Sequence, residues 1–167
     1  MTLWNQAYYA KGDFASKIKL LTKPDLFTIG NKKYFFFKRY VDVLECAAII
    51  GFKEYNDKEK YDEALKNLKE TIGSEEPAEI PINTILKEQK KLKFLFRLIM
   101  LNENVRELSL KEKTDHAFRN ESNADIQAEN EILFNNFAQL GVEILYQKVM
   151  EARDPAACLD IMCDYIK

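Results

Sequence analysis

Glycine, proline, cysteine and histidine are all scarce in this 167-residue chain, at five, four, three and one residues, and each shortage closes off a class of readings. The glycines, Gly12, Gly30, Gly51, Gly73 and Gly141, are scattered, whereas a loop that cradles phosphates needs several of them ahead of one helix. Nucleotide binding by such a loop is excluded. So few turn formers also favour long helices over many short strands. Cys46, Cys158 and Cys163 are an odd count set in apolar stretches, and they read as reduced core residues. The last two are five apart, which fits neither a C-x-x-C redox pair nor zinc-knuckle spacing, and the lone His116 cannot complete a metal site with them. No metal and no other cofactor is expected.

A nucleophile and its general base need a histidine or an equivalent, and His116 sits beside Asp115 in a polar stretch that reads as an exposed loop. No catalytic triad follows. Small helical ribonucleases pair an arginine with a histidine a few residues downstream, whereas His116 precedes Arg119. No apolar run approaches the roughly 20 residues that span a bilayer, and Met1 to Gln6 lack the basic-then-apolar order of a signal peptide. A cytoplasmic protein without a membrane segment is the expectation.

What is present is apolar and charged, 47% and 31% of residues, in a length that can bury one core without staples. One domain over residues 1–167 is expected. The net charge of −2 conceals a split: residues 1–40 hold eight cations and two anions, +6, so the remainder carries −8. A basic arm on an acidic body attracts phosphate or an acidic protein surface, or folds back on its own domain.

Apolar spacing predicts an all-α fold, a compact bundle of about five main helices behind an irregular, basic N-terminal segment over 1–30 that packs through Trp4, Tyr8, Phe14 and Phe27. Lys23-Pro24-Asp25 marks a turn. The first helix is read from Lys33 to Gly51, with a strand as the alternative for Tyr34 to Phe37, and Gly51 is read as its end. A second runs from a cap at Asp57 to Ile72 with Gly73 stopping it, followed by a Pro/Glu loop over 73–81. A third starts at Asn83 or Thr84 and ends at Asn102 or Asn104, with a short helical turn after Leu108. The fourth opens on a Ser122-x-x-Asp125 capping box, its Gly141 admitting a close neighbour, and Asp154-Pro155 starts the last.

Two segments suggest binding chemistry. Lys32 to Tyr40 interleaves Lys32, Lys33, Lys38 and Arg39 with aromatics, the mixture that single-stranded nucleic acid uses for backbone attraction and base stacking. At helical spacing, however, those aromatics join the core stripe, which is the favoured reading. Lys87, Lys90 and Lys91 extend the same patch. Glu88-Gln89-Lys90 matches the Glu-x-Lys of restriction-type, metal-dependent nucleases, but it lies at a helix start without a preceding strand and reads as a solvated face.

Phe37 to Lys53, FKRYVDVLECAAIIGFK, resembles the "kyrDvlxfAAxlGf" helix of small accessory proteins from bacterial DNA-phosphorothioation and other phage-defence gene neighbourhoods. Phe137 to Tyr146, with Asp154-Pro155 beyond, is similar to the "eeYaNxGlexl" helix of that group, although Gln139-Leu140-Gly141 stands where the group has Asn-Gly. The resemblance extends over about a third of the chain, of which these segments are the core. The resemblance implies a bacterial protein that works with larger ATPase or nuclease subunits, and it supplies no catalytic residues. Three readings follow as expectations: a non-catalytic adaptor or subunit of a defence assembly acting through protein contacts, self-association included; a nucleic-acid-binding module; and a metal-dependent nuclease, for which no polar pocket is visible in the sequence.

Overall fold

The computed structural model describes residues 3–68, 76–119, 123–152 and 154–166, and in them the chain is mainly α-helical. A 3₁₀ turn at Leu3–Asn5 leads into β1 (Tyr8–Ala10), α1 (Gly12–Leu21) and a hairpin of β2 (Phe27–Ile29) and β3 (Lys32–Tyr34). Then come α2 (Tyr40–Tyr55), α3 (Lys58–Asn67), β4 (Ala78–Ile80), α4 (Ile82–Asn102), α5 (Leu110–Phe118), α6 (Ala124–Glu151) and α7 (Pro155–Ile166). The described residues thus hold seven helices where apolar spacing predicts about five.

Both additions have a physical cause. Phe14, Ala15, Ile18 and Leu21 form one buried stripe on α1, but Lys11 ahead of it makes no side-chain cap, so the helix has no start signal. The expected turn after Leu108 grows into α5 through a full capping box, Ser109 and Glu112 each serving the other's backbone N–H. The N-terminal segment does pack: Trp4 lies edge-on to Phe134 at 5.2 Å and to Phe96 at 6.3 Å.

Other expectations are corrected. Helix α2 begins at Tyr40 instead of Lys33, so the Lys32 to Phe35 aromatics and cations do not join its stripe. Residues 78–80 are not loop but strand: Ala78 and Ile80 are buried, Glu79 is out, and the segment pairs antiparallel with β1, Tyr8 facing Ile80 and Ala10 facing Ala78. Helix α6 is capped by Asn123, whose side chain accepts from the N–H groups of Asp125 and Ile126; the proposed cap Ser122, like Ile72 and Gly73, lies outside the described residues. Of the cysteines, Cys158 is buried, Cys46 half-buried and Cys163 exposed. Burial pushes both the Cys46 and Cys158 thiols up to about 11. Asp57 and Asp154 do cap α3 and α7, accepting from Lys60 N–H at 3.1 Å and Ala157 N–H at 2.9 Å.

The centre of the fold is the pair α2–α6, which run antiparallel with Gly51 against Phe137 and Gly141 against Ala47. Gly51 therefore lies inside α2 and does not end it. A Cβ at Gly51 would overlap the carbonyl oxygen of Phe137, and one at Gly141 that of Ala47. Reciprocal glycines let the two backbones touch, and Val43, Leu44, Ala48, Phe137, Ala138 and Val142 close the seam around them. The remaining helices surround this pair, with α4 on the α2 side and α5 packed on α4 and α6. No described helix is long and apolar enough to cross a membrane.

Candidate interaction surface

Helix α4 buries Ile85, Leu92, Leu95, Phe96, Ile99 and Met100. At about 100° per residue these fall on one arc, and Lys87, Lys90, Phe94, Arg97 and Leu98 project from the other side. Phe94, 69% exposed, stands opposite the core, and Leu98 and Leu86 flank it in solvent. The Arg97 guanidinium lies over the ring of the exposed Phe118 at 5.1 Å, which carries the apolar surface onto α5. Within α4 five cations, Lys87, Lys90, Lys91, Lys93 and Arg97, stand against Glu88 alone, +4. The result is an apolar strip with a cationic rim.

The seven predicted contact residues divide between this face and the basic arm. Lys32 and Lys33 lie on β3 and Lys38 in the link to α2, all exposed. Arg39 precedes α2 and is spent within the protein: its Nε and Nη2 donate to Asp42 at 3.1 and 2.6 Å, and its Nη1 donates to Glu88 at 2.6 Å. Those hydrogen bonds, to Asp42 first and then to Glu88, hold the guanidinium well above its ordinary pKa. Lys91 pairs with Glu45 of α2 and is likewise raised, chiefly by that hydrogen bond. Glu45 is buried; desolvation raises it more than Lys91 lowers it, and its Oε1 has no hydrogen-bond partner. Arg39 and Lys91 thus fasten α4 to the start of α2 and bring the two basic segments side by side. Lys32, Lys33, Lys38, Lys87 and Lys90 present their charge outward, with Lys33 3.6 Å from the exposed Asp25.

Glu88-Gln89-Lys90 has no nuclease geometry. Glu88 serves Arg39, Gln89 donates to the Trp4 carbonyl and to Asn5 Oδ1 at 3.1 and 2.7 Å, and Lys90 points to solvent. Among the described residues, no three His, Cys, Asp or Glu side chains converge as a metal ion would require.

His116 is not an exposed loop residue but a 6% exposed member of α5, turned toward α6. Its Nδ1 is 2.7 Å from Asn130 Oδ1, while Asn130 Nδ2 donates to the His116 carbonyl at 2.8 Å. Asn130 is thereby oriented with its Oδ1 toward the His116 ring. Arg106, which sequence reasoning passed over, stands ten residues upstream; its Nη1 donates to Asn130 Oδ1 at 3.0 Å and lies 3.1 Å from His116 Nδ1. Glu103, fully buried, accepts from Arg106 Nε and from the backbone N–H groups of Val105 and Arg106, each at 2.9 Å. An arginine upstream of the histidine exists after all. Its donors and the ring Nδ1 are turned inward, however, and what they do is fasten the α4–α5 connection to α6. The signal was legible in one place: Asn130 sits on the apolar stripe of α6, between Ile126 and Leu133, where a polar side chain requires a buried partner.

A polar cleft absent from the sequence reading lies between α1, α3 and α6, with a volume of about 360 Å³. Lys17 crosses it, donating to Asp13 and Glu143 at 2.5 Å each and lying under the Tyr146 ring. Burial pulls the ammonium down, but the hydrogen bonds and charges of both carboxylates outweigh that, and its pKa lies above the ordinary value. These groups tie α1 to α6, so the basic arm is partly neutralised by its own domain. No protein-family model, curated protein or solved structure matches the chain.

Proposed function

We propose that this chain is a non-catalytic subunit or adaptor of a bacterial anti-phage defence assembly, cytoplasmic, and working through protein–protein contacts. The observation that carries the reading is the outward face of α4, where Phe94 and Leu98 stand in solvent among Lys87, Lys90 and Arg97, with Phe118 of α5 beside them. Aromatic and arginine side chains on an otherwise polar surface are the anchors that protein interfaces use. A cationic rim selects an acidic partner surface and speeds its approach. Membership of a defence assembly rests on the resemblance of the α2 and α6 segments to accessory proteins of that kind.

The test is purification of the protein expressed at native level from its own locus. Recovery at fixed stoichiometry with the product of a neighbouring gene, an ATPase or nuclease subunit, is the expected outcome. Recovery as a lone monomer would overturn the reading.

A further inference from the structure

We infer that the β2–β3 hairpin is a binding platform for single-stranded nucleic acid. The proposal concerns a surface apart from the Phe94 strip and does not rest on the protein-docking reading. From Leu26 to Val41 the chain carries four cations and no anion, and six aromatics among them. Helical spacing would send those aromatics into the core, but helix α2 starts only at Tyr40. Tyr34 and Phe35 are accordingly 38% and 41% exposed, with Lys38 lying over the Phe35 ring at 5.1 Å.

The hairpin is an ordered projection. A two-stranded ribbon is marginal by itself in water. Here Phe27, paired across the ladder with Tyr34, is buried in the domain core and anchors one end. At the other end Gly30 and Asn31 make a two-residue turn in which Gly30 has φ +60° and Asn31 a negative φ, the pattern of a type II′ hairpin. Strand β3 then holds Lys32, Lys33 and Tyr34 in extended backbone, with Phe35 next and Lys38 in the link to α2.

That combination meets the two demands of single-strand recognition. Unpaired bases offer their faces to aromatic rings, and a phosphate backbone exchanges its counterions for ammonium groups. Base-paired duplex hides those faces and offers only phosphates, so the aromatic share of the surface is wasted on it. Among the described residues, only Lys33 of the three lysines has an acidic partner, Asp25 at 3.6 Å between two exposed side chains, a pair that salt screens and phosphate can displace. Arg39 is outside the platform because Asp42 and Glu88 already hold it.

The experiment is fluorescence anisotropy of the full chain with labelled oligo(dT) and oligo(U), longer than the roughly 4–16 nucleotides such surfaces cover, and with a duplex of equal length. Single strands are expected to bind more tightly than duplex, and preference for dT or U identifies DNA or RNA as the source. With three phosphate contacts, raising salt fourfold lowers affinity roughly twentyfold, from a log–log slope near −2. The triple charge reversal Lys32→Glu, Lys33→Glu, Lys38→Glu is expected to abolish binding. Phe35→Ala lowers affinity about tenfold while leaving the salt slope unchanged, a separation that charge alone cannot produce. Both variants change exposed groups, and unaltered helical circular dichroism shows that they fold. The inference is overturned if the triple variant binds like the parent, if Phe35→Ala has no effect, if duplex binds equally well, or if Lys87→Glu with Lys90→Glu removes the binding instead. Phe94→Asp leaves it intact, so this failure and that of the docking reading are told apart.

Discussion

Phe137 and Phe94 are the same residue type on two long helices, yet one is fully buried and the other 69% exposed. Phe137 lies in the α2–α6 seam, ringed by Phe52 and Tyr61 at 5.7 and 5.3 Å, where reciprocal glycines bring two backbones into contact. Phe94 lies on the outward face of α4 among cations, and among the described residues none covers it. The contrast teaches that residue type alone does not separate a core from a contact surface; position around the helix does, since Phe94 lies opposite the buried arc of α4. The company differs accordingly: small residues and apolar neighbours around Phe137, lysine and arginine around Phe94.

The seam is where the comparison breaks most violently. Gly141→Val places side-chain atoms onto the Ala47 carbonyl, so the two backbones must part, and the expected loss is about 3 kcal/mol or more, read as a lowered urea midpoint. A loss under about 1 kcal/mol would mean that α2 and α6 can separate freely.

Removing one partner from the buried polar network comes next. Glu103→Ala leaves the Arg106 guanidinium without its carboxylate and two backbone N–H groups without an acceptor, for an expected cost of about 3 kcal/mol. The same measurement on Asn130→Ala checks that the network acts as a unit, since the two losses should then sum to more than the double variant shows.

The smallest effect is a pH dependence. Hydrogen bonds from the Ser109 hydroxyl and then its backbone N–H hold Glu112 below its ordinary value of 4.5. A lowered carboxylate pKa means that the folded state binds its proton less readily than the unfolded chain. Its contribution is therefore complete above the ordinary value and is lost as pH falls through the folded one. Glu112→Gln should flatten the acid limb of melting temperature against pH below about 4.5, with little change at neutral pH. An identical acid limb would show that the capping box carries no linkage.

Much of this was legible in the sequence, and the failures share a cause. Helices α3, α4, α6 and α7 could be read because caps and stripes are local: Asp57, Asp154 and the apolar periods lie within a few residues of what they govern. Strands β1 and β4 could not, since each is three residues long and its partner lies about seventy residues away. The β2–β3 hairpin had a local signal, Gly30-Asn31 between two short extended runs, which the strong helical stripe beginning nearby masked. At the surface, the sequence marked the cations but not their engagements. That Arg39 and Lys91 are spent on Glu88 and Glu45, while Lys87 and Lys90 are not, follows from the packing of α2 against α4. The Arg106–His116–Asn130 cluster draws on α5, α6 and the connection before them, so only the misplaced polarity of Asn130 announced it.

The central claim, that the outward face of α4 serves a partner and not the fold, is tested most directly by Phe94→Asp in the native-locus purification. The account predicts that the variant keeps its stability within about 0.5 kcal/mol and loses the co-purifying subunit. Retention of that subunit at the same stoichiometry, or collapse of the fold itself, would contradict it.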